Sequence, residues 1–129
     1  MATLHLPLKA EWYEAIDHSG KIEEYRELSA YWIVRLLRYS ASGGKIAKET
    51  AERYEKNIKI LKSHIKDGVL TYREFDTVKF SYGYTKRTME RTIRLIKIGE
   101  GLAEWGAEHK KEYFVIGLGE RIDNGNDKI

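Results

Sequence analysis

Three side chains capable of ionic chemistry stand close together early in the chain: Lys21, Glu24 and Arg26, directly after Ser19-Gly20. On a strand Glu24 and Arg26, two residues apart, point to one face. A carboxylate beside a guanidinium orients it and leaves further N–H donors free for a phosphate or a base edge. Lys21 sits at the preceding turn, where strict alternation does not assign it to the far face. As an exposed ion pair the set would stabilise little. A second group mixes cations with aromatic rings: Tyr82 and Tyr84 beside Lys86 and Arg87. That mixture suits single-stranded nucleic acid, whose bases stack while its phosphates seek cations. Tyr25, Tyr31 and Trp105 are further rings that could face a base, although most aromatic side chains serve packing.

Charge distribution supports an anionic ligand more than net charge does. The 129 residues carry 23 Lys+Arg against 20 Asp+Glu, a net +3. Residues 79–97 alone hold six bases (Lys79, Lys86, Arg87, Arg91, Arg94, Lys97) against Glu90, a local +5. Such a stretch attracts phosphates. There is no Cys, which excludes disulfides, thiolate metal sites and Cys nucleophiles. The four His (His5, His18, His64, His109) are scattered without metal-ligand spacing, so no metal is expected. Gly99-Glu100-Gly101 begins like a dinucleotide loop, but Glu104 occupies the third glycine position. Residues 123–127 resemble a calcium loop in composition only, and no Ser has an elbow-like glycine context. No cofactor is implied. No apolar run approaches the roughly 20 residues of a membrane span, and the first residues lack a secretion signal. A cytoplasmic protein without a membrane partner is the expectation.

The elements that must position these residues follow from periodicity. Residues 3–8 alternate as a strand, with Pro7 placing it at an edge or an end. Leu8, Trp12, Ala15 and Ile16 fall at helical spacing, and Ser19-Gly20 stops that helix. Residues 21–26 are a short strand, and 30–39 a helix with Trp32, Ile33, Leu36 and Leu37 on one side. Residues 45–66 have the strongest helical pattern: Ala47, Ala51, Tyr54, Ile58, Leu61 and Ile65 step by 4, 3, 4, 3, 4. Lys45–Glu49, Lys48–Glu52, Glu52–Lys56 and Glu55–Lys59 add opposite charges at i,i+4. After residue 68 the chain turns to strands over 76–82, 88–98 and 112–122, with a glycine-rich connection over 99–107. Met89, Ile93 and Leu95 share one parity of the middle strand, Ile96 and Ile98 the other. Residues 1–122 form one domain, and 123–129 a flexible tail.

The spacing of Lys21, Glu24 and Arg26 resembles the Gly-x-Lys-x-x-Glu-x-Arg signature of ASCH domains, relatives of the PUA-type barrels. Ser19 stands at the first position, with Gly20 displaced by one. The similarity extends over residues 3–122, through Leu4-His5-Leu6, Trp12, Tyr31-Trp32, Phe75-Asp76-Thr77-Val78, Gly83-Tyr84, Glu104-Trp105-Gly106-Ala107 and Tyr113-Phe114-Val115-Ile116. The chain is similar to small, single-domain bacterial and phage members.

The resemblance implies an α+β fold: a partly open β-barrel flanked by helices, with a cleft holding Lys21, Glu24 and Arg26 and the 45–66 helix added beside it. It implies an RNA, nucleotide or nucleoside ligand, bound by Lys21, Glu24, Arg26, Tyr25, Tyr82, Tyr84, Lys86, Arg87 and Trp105. The alternative is a hydrolase. Some relatives cleave the acetyl amide of a modified cytidine with a Lys, a Thr and a later Glu. Lys21 matches that Lys, but Glu24 stands where the Thr would be. Glu24 would then act as base toward water, with Lys21 stabilising an oxyanion and Glu74 a conceivable second carboxylate. A ribonuclease would use Lys21 and Arg26 to neutralise the phosphate, without a His pair to help. A monomer is expected, with dimerisation through the 45–66 helix as the alternative.

Overall fold

The computed structural model describes residues 2–122; the expectations for 123–129 lie outside the described residues. Element order is β1 (Thr3–Leu8), α1 (Ala10–His18), β2 (Glu23–Arg26), α2 (Ala30–Leu36), β3 (Leu37–Tyr39), α3 (Lys48–Lys56), α4 (Ile58–Lys66), β4 (Leu70–Tyr72), β5 (Thr77–Tyr82), β6 (Thr88–Glu100), a 3₁₀ turn (Ala103–Trp105) and β7 (Glu112–Arg121). The fold is α+β. Five strands form one curled sheet in the order β1-β5-β6-β7-β2, a half-barrel, and β3 pairs with β4 separately. β1 runs parallel to β5, and the other neighbours are antiparallel. Among the described residues, no helix is long and apolar enough to cross a membrane.

Alternation decides which face of the sheet is buried. Leu4, Leu6 and Leu8 of β1, Val78 and Phe80 of β5, and Phe114, Ile116 and Leu118 of β7 point to the concave side. Tyr13 and Ile16 of α1 cover them, and the core continues through Ile33, Leu36, Ala51, Tyr54 and Leu61 of the other helices. Pro7 lies on an edge strand, where its missing N–H costs no ladder bond.

Three expectations are corrected. The 45–66 segment is two helices, not one. Asn57 (φ −144°, ψ 75°) ends α3 and caps α4, its side-chain oxygen accepting from the Ile60 N–H at 3.3 Å. Asn favours this capping position because its short side chain satisfies a donor that the first turn leaves free. In a straight helix Tyr54 and His64 would stand about 15 Å apart along the axis; here the Tyr54 hydroxyl lies 2.6 Å from His64 Nδ1. The apolar positions continue across the break and bury Ala51, Tyr54 and Leu61 within the chain's own core, so that seam is not a free dimerisation stripe. None of the four expected i,i+4 pairs closes as an ion pair. Glu55 turns instead to accept the Ala30 N–H at 2.6 Å, satisfying a donor at the start of α2.

The second correction concerns β6. Its register against β7 shifts between Arg91 and Ile93 and again between Ile93 and Leu95. Irregularities of this kind re-aim every side chain beyond them. Met89, Ile93, Ile96 and Ile98 therefore all reach the core, while Leu95 is left 46% exposed. The helix expected over 30–39 also ends earlier, at Leu36, because residues 37–39 pair with β4.

Candidate functional site

The curled sheet leaves a seam between its two edge strands, β1 and β2, and the Lys21, Glu24 and Arg26 side chains lie there. Glu24 and Arg26 sit opposite Ile116 and Phe114 of β7, so both side chains point to the concave face. Lys21 precedes β2; its N–H donates to the Ala15 carbonyl at the end of α1, which fixes its position in the turn. Glu24 bridges the two cations: its Oε1 accepts from Lys21 Nζ at 3.0 Å and its Oε2 from Arg26 Nη2 at 2.8 Å. The same Nη2 donates to the Pro7 carbonyl at 3.1 Å, joining β2 to β1 across the seam.

Lys21 is 1% exposed and Glu24 6%. Burial at this level is tolerated only because the charges are paired and hydrogen-bonded. Lys21 Nζ also lies 4.3 Å from the centre of the Trp12 ring, and the Arg26 guanidinium 5.2 Å from Trp32. A cation above an aromatic face is attracted by the ring quadrupole. Lys21 is thus held by both a carboxylate and an aromatic ring. Arg26 is different: its Nη1 makes no hydrogen bond among the described residues, while its Nε is buried without a partner.

These groups form the floor of a cleft of about 510 Å³. Its walls include Trp12, Trp32, Trp105, Tyr25 and Tyr113, and Lys9, Glu27 and Glu108 contribute charge. Two glycines set its shape. Gly106 has φ +102°, and a Cβ there would approach Trp12 to 2.9 Å; a Cβ at Gly101 would stand 2.5 Å from the Tyr25 ring. The 3₁₀ segment can therefore lie flat against both rings. The Tyr25 hydroxyl donates to Glu23 at 2.7 Å and accepts from the Leu102 N–H at 2.9 Å. Burial, followed by the Glu23 contact, holds its proton well above the ordinary tyrosine range. At the rim Lys111 bridges Glu108 and Glu27 at 2.9 and 3.0 Å. That bridge lowers the Glu108 carboxyl below its usual range and raises the Lys111 amine.

Of the expected ligand residues, Lys21, Glu24, Arg26, Tyr25 and Trp105 line the cleft; Tyr82, Tyr84, Lys86 and Arg87 do not. Arg87 lies 4.8–4.9 Å from the Tyr82 and Tyr13 ring centres and pairs with Glu14 of α1 at 3.0 Å. Tyr84 is 97% exposed at the β5–β6 turn. Tyr31 lies outside the cleft, under the Arg35 guanidinium at 3.5 Å. Glu74 is exposed and lies 3.6 Å from Arg38, away from Glu24. The basic stretch is divided as well. Arg91 donates from Nε to the Gly119 carbonyl at 2.7 Å, whereas Arg94 and Lys97 flank Leu95 on the outer face of the sheet.

The cleft also draws on Trp12, Trp32, Tyr113, Glu27 and Glu108, which the sequence pattern does not single out as site residues. Trp12 and Trp32 stand on helical stripes that also serve the core, and no local signal separates the two uses. Glu14, Asp17 and His18 form a cluster with metal-ligand potential that motif spacing did not reveal. Its carboxylates already face Arg87 and Arg121, the latter at 2.6 Å from Asp17. The cluster ties α1 to the sheet.

Comparison with protein-family models, with curated proteins and with solved structures gives no match.

Proposed function

We propose that this chain is a binding module of the ASCH type whose cleft takes RNA or a nucleotide. The supporting observation is a Lys21–Glu24–Arg26 ion-pair set, with Lys21 and Glu24 buried and Arg26 partly exposed, beneath a cleft walled by five aromatic rings. Glu24 holds both cations, Arg26 presents Nη1, and the tryptophans supply stacking faces. Stacking of a base on an aromatic ring is worth about 1–3 kcal/mol, and a charge-assisted contact to Arg26 adds direction to it.

A hydrolase that used Glu24 as base would have to work through the second lone pair of an oxygen that already accepts from Lys21 or Arg26, on a side chain only 6% exposed. Binding without turnover fits this arrangement better. Titration calorimetry at low salt with nucleotides and short RNA tests the reading. Arg26→Ala is expected to weaken binding about tenfold or more, as loss of a charged hydrogen bond does. Unchanged affinity in that variant removes the cleft from the binding site. Turnover of an acylated nucleoside that is abolished by Glu24→Gln favours the hydrolase.

A further inference from the structure

We infer that the free edge of β2 reads its ligand through the main chain of Tyr25, and that the ligand is a planar heterocycle with a hydrogen-bond donor beside an acceptor on one edge. A lactam or an aminopyrimidine has such an edge. The inference rests on the nucleotide-binding reading above and specifies which part of the nucleotide the cleft selects.

β2 has a neighbour on one side only, β7. The Leu118 N–H donates to the Ile22 carbonyl at 2.8 Å. In an antiparallel ladder, hydrogen-bonded residues alternate with residues whose N–H and C=O both face the other way. The register continues from that bond through Glu24↔Ile116 and Arg26↔Phe114. Glu24 and Arg26 therefore bond to β7, and Tyr25 turns both of its main-chain groups toward the seam. Among the described residues neither group has a partner, and Tyr25 lines the cleft. A main-chain donor and acceptor, side by side and without partners, complement a ligand edge carrying the reverse pair.

Two observations select a heterocycle over other occupants. Three cations in the lining (Lys9, Lys21, Arg26) face three carboxylates (Glu24, Glu27, Glu108), so the cleft has no surplus charge for a run of phosphates. The Arg26 arm to the Pro7 carbonyl crosses the seam, which leaves no continuous edge on which a peptide could add as a strand. The rings of Trp12, Trp32 and Trp105 suit a flat, aromatic ligand.

Calorimetry with the intact chain tests this through the ligand, because the main chain cannot be truncated. The probes are uridine, 5-methyluridine and 3-methyluridine, with inosine and 1-methylinosine as a purine arm. The two methylated edges (3-methyluridine, 1-methylinosine) lose the donor and place a methyl where the Tyr25 carbonyl would approach. We expect uridine and 5-methyluridine, or inosine, to bind, with the edge-methylated partner weaker by about tenfold or more. Tyr25→Phe keeps the main chain and is expected to keep this discrimination. Edge-methylated and parent nucleosides binding within twofold of each other overturn the inference while the nucleotide-binding reading stands. Binding of short RNA without binding of any nucleoside overturns it as well. Absence of binding by nucleosides, nucleotides and RNA together removes both readings.

Discussion

The seam between β1 and β2 and the β5–β6 ribbon contain the same kinds of residue, yet the fold uses them oppositely. In the seam, Lys21, Glu24 and Arg26 are drawn together under aromatic rings, two of the three nearly without solvent contact. In the ribbon, Arg87 and Arg91 are spent on α1 and on a neighbouring carbonyl, and Lys86 and Tyr84 remain exposed. The seam lies where the sheet fails to close, so its charges meet a concave surface and one another. The ribbon is the turn of a hairpin, where solvent and the acidic face of α1 compete for every cation. A surplus of charge along the sequence therefore says less than whether opposite charges are forced to share one enclosed place.

Removing the shared carboxylate should sharpen this contrast most. Glu24→Ala leaves Lys21 and Arg26 uncompensated, and breaking a buried ion pair typically costs about 3–5 kcal/mol. Urea unfolding should show that loss, and a smaller one for Glu24→Gln, whose amide oxygen can still accept one bond. A loss below about 1 kcal/mol for Glu24→Ala would place the triad with ordinary surface pairs.

A smaller effect is expected at alkaline pH. The folded protein holds the Tyr25 proton more tightly than the unfolded chain does, because burial disfavours the phenolate. Its contribution is therefore complete below the ordinary tyrosine value of 10.0 and is lost as pH rises above it. Tyr72 on β4, pushed up to about 12 by burial, adds a loss in the same direction. Thermal unfolding followed from pH 9 to 12, roughly the span over which tyrosines ionise, should fall less steeply in Tyr25→Phe. Parallel slopes would mean that this ring is not shielded from solvent as the structure has it.

The smallest change is expected in the ribbon. Arg87→Ala removes a half-exposed pair with Glu14, and its urea-unfolding midpoint should stay near the parent's. Its nucleotide affinity should stay within twofold of the parent. A large loss of affinity there, with Arg26→Ala silent, would move the binding surface from the seam to the ribbon and reverse the comparison.

What the sequence made legible was local. The spacing of Lys21, Glu24 and Arg26 needs only the alternation of one short strand and the turn before it, and the structure brings the three together. The edge position of β1 was readable from Pro7 for the same reason. The two-helix break was not, because the apolar spacing runs through Asn57 unchanged and only the capping geometry interrupts it. Nor was the outcome in β6: regular alternation assigns Leu95 to the face of Met89 and Ile93, whereas the register shifts exchange it for Ile96. The partners of Arg87 and Arg91 lie more than 70 and about 28 positions away, and Gly106 meets Trp12 only after the sheet has curled. Periodicity carries no information about meetings at that range.

The parallel pairing of β1 with β5 has a kinetic consequence. Thr3 meets Thr77 only after the whole intervening chain has been looped back, whereas β5, β6 and β7 follow one another along the chain and pair as antiparallel neighbours. Closing the longer loop costs more entropy before any contact is gained. The hairpin strands therefore have the head start, and β1 and β2, which reach β5 and β7 only across long separations, dock late. The bond from Arg26 to the Pro7 carbonyl, and with it one wall of the cleft, waits for both arrivals. Binding competence should then appear only in the final phase of refolding, after most of the secondary structure has formed, which makes a bound ligand a reporter of the completed sheet.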